Sequence, residues 1–236
     1  MTAIGILGGT FNPIHFGHLR MAQELAEALS LNEVRFIPSA NPPHKPTPQV
    51  SAEHRAAMVQ LAIADNPLFV LDKRELLRDG ASYTYDTLQS LRHEIGAQVS
   101  MTLFMGTDAF TKLNTWHRWQ DLLSLCHIGL VARPSAQNQT KNSLPKELES
   151  YLQQHYTELA DDLAAQACGF IHMQSITALD ISSTAIREHF SNKQSVRYLL
   201  PESVINYIKE HQLYSLNFWG FDDETDYFKK TITLID

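Results

Sequence analysis

Cysteine is scarce in this chain. The 236 residues include two, Cys126 and Cys168, far apart and at no metal-ligand spacing. That excludes a disulfide framework and a cysteine-based zinc site, and the expected state is two free thiols in a reducing compartment, with the cytoplasm as the default. Long apolar runs are missing as well, so no stretch reads as a membrane span. The opening Met1-Thr2-Ala3-Ile4 lacks a basic segment leading into an apolar core and cleavage site, and no signal peptide is expected. Positive charge is also short: 19 Lys and Arg stand against 26 Asp and Glu, a net of −7. A nucleic-acid-binding face, which must displace counterions from phosphate, is disfavoured by that balance. A small anionic ligand is not, because backbone amides and a few side chains set the field inside a pocket. The chain carries no internal repeat and no low-complexity tract.

What is present is a globular balance, 44 % hydrophobic and 19 % charged, at a length that suits one α/β domain with a modest elaboration. Short apolar runs at 4–7, 34–37, 69–71, 99–104, 127–132 and 170–173 read as strands. Helical spacing covers 18–29, 51–65, 86–94, 183–190 and 201–211. The alternation predicts right-handed crossovers and a Rossmann-like, doubly wound, mostly parallel open sheet with helices on both faces. Residues 135–168 break the rhythm and are expected to be an insertion, a polar linker followed by a helix-like stretch over 146–165. The single domain is expected to span 1–214, ending in a small helical elaboration. The tail 215–236 suggests no function, although a helix there packing against a twin subunit is one arrangement the sequence leaves open.

Most chemical information sits in Gly8-Gly9-Thr10-Phe11-Asn12-Pro13-Ile14-His15-Phe16-Gly17-His18, between the first strand and the first helix. Ligands of open α/β sheets bind at such a position. Paired glycines let the backbone approach a ligand, and the helix start adds unsatisfied N–H groups and the positive end of a dipole, which suits phosphate. His15 and His18 can face one ligand if the chain turns between them, each offering a ring N–H. Taken alone, the pair reads more simply as satisfied surface histidines beside a glycine turn. The block is not a P-loop, having no glycine-lysine-serine or -threonine, and Gly5, Gly8 and Gly9 do not fit the dinucleotide fingerprint. A second block, Ile181-Ser182-Ser183-Thr184 with Arg187 one turn later, opens another helix. Its hydroxyls could cap the helix and donate to phosphate, and Arg187 could reach the same anion; the plain alternative is an ordinary capped helix.

The first block resembles the GxFxPxHxGH signature of the adenylyl- and cytidylyltransferase superfamily, and the second resembles that superfamily's ISSTxxR. Many relatives carry aspartate at position 12, so the Asn12 of this chain implies that no carboxylate is required there. The resemblance narrows to bacterial nicotinate mononucleotide adenylyltransferase over about residues 3–214, through Ile37-Pro38 to Pro42-Pro43-His44-Lys45, Ser82-Tyr83-Thr84, Gly106-Thr107-Asp108 and Thr115-Trp116-His117.

That resemblance implies transfer of AMP from ATP to nicotinic acid mononucleotide, with Mg²⁺ travelling on the phosphates and no all-protein metal site. His15, His18, Lys45 and Arg187 would carry the catalysis. ATP would lie on Gly8, Gly9, Thr10, Phe11, Gly106, Asp108, Ile181, Ser182, Ser183 and Thr184. The mononucleotide would meet Lys45, Ser82, Tyr83, Thr84, Trp116, His117 and Arg133. Residue by residue, simpler readings stand beside these: a solvated loop lysine for Lys45, a helix cap for Asp108, a core tryptophan for Trp116 with Trp119 as rival. At the level of function the rivals are an adenylyltransferase for nicotinamide mononucleotide or phosphopantetheine, and a nucleotide sensor without activity.

Overall fold

The computed structural model describes residues 1–41, 48, 50–132, 144–177 and 179–214. Its strands are β1 (Ala3–Gly9), β2 (Glu33–Pro38), β3 (Phe69–Leu71), β4 (Ser100–Gly106), β5 (His127–Ala132), β6 (Tyr156–Thr157) and β7 (Ile171–Ser175). Among the described residues they form one sheet in the order β3-β2-β1-β4-β5-β7-β6, and every neighbouring pair is parallel. The central strands are apolar on both sides because both sides are covered. In β1, Leu7 faces one core while Ile4 and Ile6 face the other; in β4, Phe104 opposes Met101, Leu103 and Met105.

One face is covered by α1 (Phe16–Ala28), α2 (Ala52–Ile63), α7 (Ser183–Ser191) and α8 (Glu202–Glu210), which bury Leu25, Met58, Phe190 and Ile208 in a common core. The other is covered by α3 (Thr84–Ile95) and α5 (Lys146–His155), through Leu88, Leu91 and Leu148, and by the 3-10 turns around Leu113 and Leu122. The four-residue α4 (Thr107–Phe110) follows β4 directly. This is the doubly wound architecture read from the alternation, parallel throughout its described strands. From β1 the chain winds to β2 and β3 on one side, then crosses back to β4 on the other, so the winding reverses between β1 and β4. In such sheets ligands bind in the crevice beyond the carboxyl ends of those strands.

The stretch expected as helical over 146–165 is two helices with an edge strand between them. α5 sends Leu148 and Tyr151 to one core, and α6 (Ala160–Ala165) sends Leu163 to the other, so the segment wraps the edge of the sheet. β6 pairs with β7 through Tyr156 and Thr157, and two residues are too few to display a period. The helix expected over 86–94 starts two residues earlier, with Tyr83 as its N-cap. Both cysteines are free thiols; Cys126 is buried, and burial pushes its pKa up to about 12. Among the described residues, no helix is long and apolar enough to cross a membrane. The tail 215–236 lies outside the described residues.

Candidate active site

The loop leaving β1 owes its shape to its own side chains. A Cβ added at Gly8 would meet nothing within 4 Å, whereas one at Gly9 would come within 3.1 Å of the Phe11 ring. The glycine pair therefore divides its work, Gly8 leaving the strand end open to a ligand and Gly9 making room for Phe11. Phe11 is only 2 % exposed and holds a left-handed backbone at φ +47°. The Asn12–Pro13 peptide that follows is cis.

His15 is the N-cap of α1 and is buried. Its backbone N–H donates to Nδ1 of His18 at 3.3 Å. A backbone N–H can only donate, so Nδ1 of His18 accepts and the neutral ring carries its proton on Nε2. The two imidazoles lie 3.8 Å apart, tilted by 31°, and Phe11 meets the His18 ring edge-on at 5.2 Å. A Cβ at Gly17 would stand 3.0 Å from the His15 ring, which explains the glycine between the histidines.

The second block is bonded directly onto the first. Ser182 Oγ accepts from the Ala185 N–H at 3.1 Å and caps α7. Ser183 Oγ donates to the Pro13 carbonyl at 2.9 Å, and Arg187 Nη1 donates to the Asn12 carbonyl at 2.8 Å. Arg187 Nη2 adds a bond to Thr184 Oγ1 at 3.2 Å. One hydroxyl, that of Ser183, and the Arg187 guanidinium, both anticipated for phosphate, thus form the clasp between the blocks, and Arg187 commits only part of its five-donor fork to it. Tyr214 joins them, its hydroxyl donating to Asn12 Oδ1 at 2.7 Å. Burial pushes the Tyr214 pKa far up, so it stays a donor. Sequence reasoning did not single out Tyr214.

Across the crevice, Gly106 ends β4, and a Cβ there would meet nothing within 4 Å. Gly106 is also the N-cap of α4, with no side-chain cap, so the exposed Asp108 carboxylate in the first turn is not capping the helix. Ser82 is stitched to the opposite loop: its N–H donates to the Asn41 carbonyl at 3.0 Å, and its Oγ accepts from the Asn41 N–H at 3.2 Å. Tyr83 and Thr84 start α3, and the His117 ring lies 4.7 Å from Tyr83. The Arg118 guanidinium sits 3.8 Å over Tyr85. Ser82-Tyr83-Thr84 and Trp116-His117 are therefore brought side by side. Trp119 packs edge-on against Tyr151 at 5.0 Å; Trp116 and Trp119 are both half-buried and both pack against the same core. Lys45, with the rest of 42–47, and Arg133 lie outside the described residues.

The description "Cytidylyltransferase-like" belongs to the family model that matches residues 6–189, a span holding both blocks and the Ser82–His117 cluster. A Pseudomonas fluorescens protein named "Probable nicotinate-nucleotide adenylyltransferase" is 46 % identical over 213 residues, covering 89 % of this chain and 96 % of its own length. A Dechloromonas aromatica protein of the same name is 45 % identical over 211 residues, covering 89 % and 97 %. The chain belongs to the nicotinate-nucleotide adenylyltransferase family. It is accordingly a nucleotidyltransferase. The fold agrees: the solved Plasmodium falciparum nicotinic acid mononucleotide adenylyltransferase complexed with NaAD superposes with a TM-score of 0.68 at 16 % identity, over 92 % of this chain and 99 % of that one.

Arg55 lies under this adenylyltransferase loop and was passed over in the sequence. It is 1 % exposed on α2, and among the described residues it bonds only backbone carbonyls: Thr10 from Nη1 at 2.6 Å, Val50 from Nε at 3.3 Å and Ala40 from Nη2 at 3.4 Å. Burial lowers its pKa, yet a guanidinium remains a cation. Arg55 thereby ties the loop after β1 to the loop after β2. The signal was available, since Arg55 sits with Ala56, Met58, Val59 and Ile63 on the buried stripe of α2, where a charge is out of pattern.

Proposed function

We propose that this chain joins nicotinic acid mononucleotide to the AMP half of ATP, giving nicotinic acid adenine dinucleotide and pyrophosphate. The observation that carries the reading is the clasp of Ser183 and Arg187 onto Pro13 and Asn12, beside the stacked His15 and His18, at the carboxyl end of β1. Two segments with phosphate-binding chemistry meet where the sheet reverses its winding, opposite an aromatic cluster suited to a pyridine.

In the proposed reaction an oxygen of the mononucleotide 5′-phosphate attacks the α-phosphorus of ATP in line. The bond from that phosphorus to the bridging oxygen breaks, and pyrophosphate leaves with the electron pair. The nucleophile is already anionic, so no serine, cysteine or strong base is needed, and catalysis is positioning and charge stabilisation. His18 offers its Nε2 proton to the transferring phosphoryl, His15 and the α7 start hold the polyphosphate, and Lys45 and Arg187 offset charge on the leaving group. Asp108 accepts from ribose hydroxyls of ATP. Mg²⁺ enters as part of the substrate. Among the described residues no three His, Cys, Asp or Glu side chains gather as a cage, and an ion that rides on phosphates with its own waters needs none.

On the other side, Trp116 supplies the flat face for the pyridinium, and Arg133 meets the mononucleotide phosphate. Tyr83 caps α3 without a side-chain hydrogen bond, so amides of the first turn are available to the nicotinate carboxylate. With its free thiols, the chain is assigned to the cytoplasm.

Pyrophosphate release from MgATP tests the reading, with nicotinic acid mononucleotide run beside nicotinamide mononucleotide. A site built for a carboxylate rejects the amide by about 10²-fold or more in kcat/KM, because its donors are otherwise left unpaired. Equal turnover of both would keep the chemistry and discard the carboxylate assignment. No turnover with either would point to phosphopantetheine, and then to a sensor.

A further inference from the structure

Behind the Ser82–Thr84 turn lies a carboxyl that the reaction does not use. Glu75 is 7 % exposed, and its Oε1 accepts from the Thr87 hydroxyl at 2.7 Å. The direction of that bond is fixed by its neighbour: Arg78 Nη2 donates to Thr87 Oγ1 at 3.1 Å, so the hydroxyl proton is left for Glu75. Ser82 stands in the same relation. Its Oγ accepts from the Asn41 N–H, which frees its own proton. Glu75 Oε2 is buried and has no hydrogen-bond partner among the described residues.

The groups facing Glu75 oppose one another. Burial is the largest effect and pushes its pKa up, with Asp72 adding to it; Thr87, Ser82 and Arg78 pull it down, and the net direction is up. The segment that carries Glu75 is itself anchored, since Asp72 pairs with Arg74 at 2.7 Å and Arg74 pairs with Glu94 of α3 at 2.6 Å. A carboxyl buried with one of its oxygens bonded to Thr87 and the other without a partner among the described residues is costly to hold there.

We propose that Glu75 is a positioning residue for the pyridine substrate: bonded to Thr87 of α3, it fixes the α3 start and the turn before it in the geometry that receives the nicotinate carboxylate. This rests on the assignment of that carboxylate to the amides of the first turn of α3. It adds a residue that touches no substrate and sets the affinity for one substrate only. ATP lies against the other loops, so the effect separates the two.

The experiment is steady-state kinetics of Glu75→Ala, Glu75→Gln and Thr87→Val in the full chain, with each substrate varied in turn. Glu75→Ala is expected to raise KM for nicotinic acid mononucleotide about tenfold or more, while KM for ATP and kcat stay within about threefold, since only uniform binding of one substrate is lost. Glu75→Gln retains a carbonyl oxygen for the Thr87 hydroxyl and is expected to recover most of that loss. Thr87→Val, which keeps the side-chain shape and removes the hydroxyl donor, is expected to shift the same KM in the same direction. An unchanged mononucleotide KM in both Glu75→Ala and Thr87→Val overturns the proposal, as does an equal rise in both substrates' KM. If wild type itself treats the acid and amide mononucleotides alike, it is the carboxylate assignment that fails; if wild type discriminates and these variants match it, the role of Glu75 alone fails.

Discussion

Replacing His18 by alanine is expected to lower kcat by about 10²–10³-fold, roughly 3–4 kcal/mol of transition-state stabilisation, the scale of one lost preorganised donor. The geometry explains why the loss falls on turnover. Nδ1 of His18 is held by the His15 N–H, the ring is stacked on His15, and the tautomer is thereby fixed with the proton on Nε2. Such a donor needs no reorganisation when charge builds on the phosphoryl oxygens, so it contributes most in the transition state. KM for ATP is expected to move by less than about threefold, because the polyphosphate keeps its other partners. Single-turnover and steady-state rates of His18→Ala check this together, and an alanine enzyme with near-normal turnover removes His18 from the chemistry.

The second large effect is on stability. Arg55→Ala leaves the carbonyls of Thr10, Val50 and Ala40 without their donor inside the protein. A fully buried abandoned carbonyl costs about 1–3 kcal/mol; with only the Val50 bond fully buried and two of the three bonds long, about 3 kcal/mol in total is expected. For a chain of this size that corresponds to a fall in Tm of roughly 6–12 °C. Arg55→Lys keeps a charge but not the fork, and is expected to fall in between. Thermal unfolding followed by circular dichroism checks it, and an alanine variant within about 2 °C of wild type would mean that water or a shifted loop replaces the guanidinium.

The contrast between Arg55 and His18 bears on what can be read from a sequence. The pairing of His15 with His18 was legible because a helix start next to paired glycines is visible in one dimension, and the structure does bring the two rings to 3.8 Å. The central strands were legible because burial on both faces removes polar residues from the run. Arg55 was not picked out, although a charge on an apolar stripe was there to see, because its partners are carbonyls, and every residue has one. Glu75 is harder still: its meaning depends on Thr87, a hydroxyl that a sequence gives no reason to aim at that carboxyl. The two-residue β6 carries no period at all. The hydroxyls of Ser182 and Ser183 look alike in the motif, yet one caps its own helix and the other reaches a carbonyl 170 residues away.

That reach has a consequence for how the enzyme comes into being. The loop after β1 leaves the ribosome early, but its outer side is closed by Ser183, Arg187 and Tyr214, which bond it across 170, 175 and 202 residues. At ordinary synthesis rates those partners arrive on the order of ten to forty seconds after the first strand. During that interval the glycines and histidines exist as a strand end and a helix start, without the clasp that holds them in register. Contacts so distant in sequence also form late in refolding, because the intervening chain must be ordered before they repay its closure. Recovery of activity should therefore trail recovery of helical signal, and a nascent chain released before residue 183 would have the sheet's centre and no closed seat for a nucleotide.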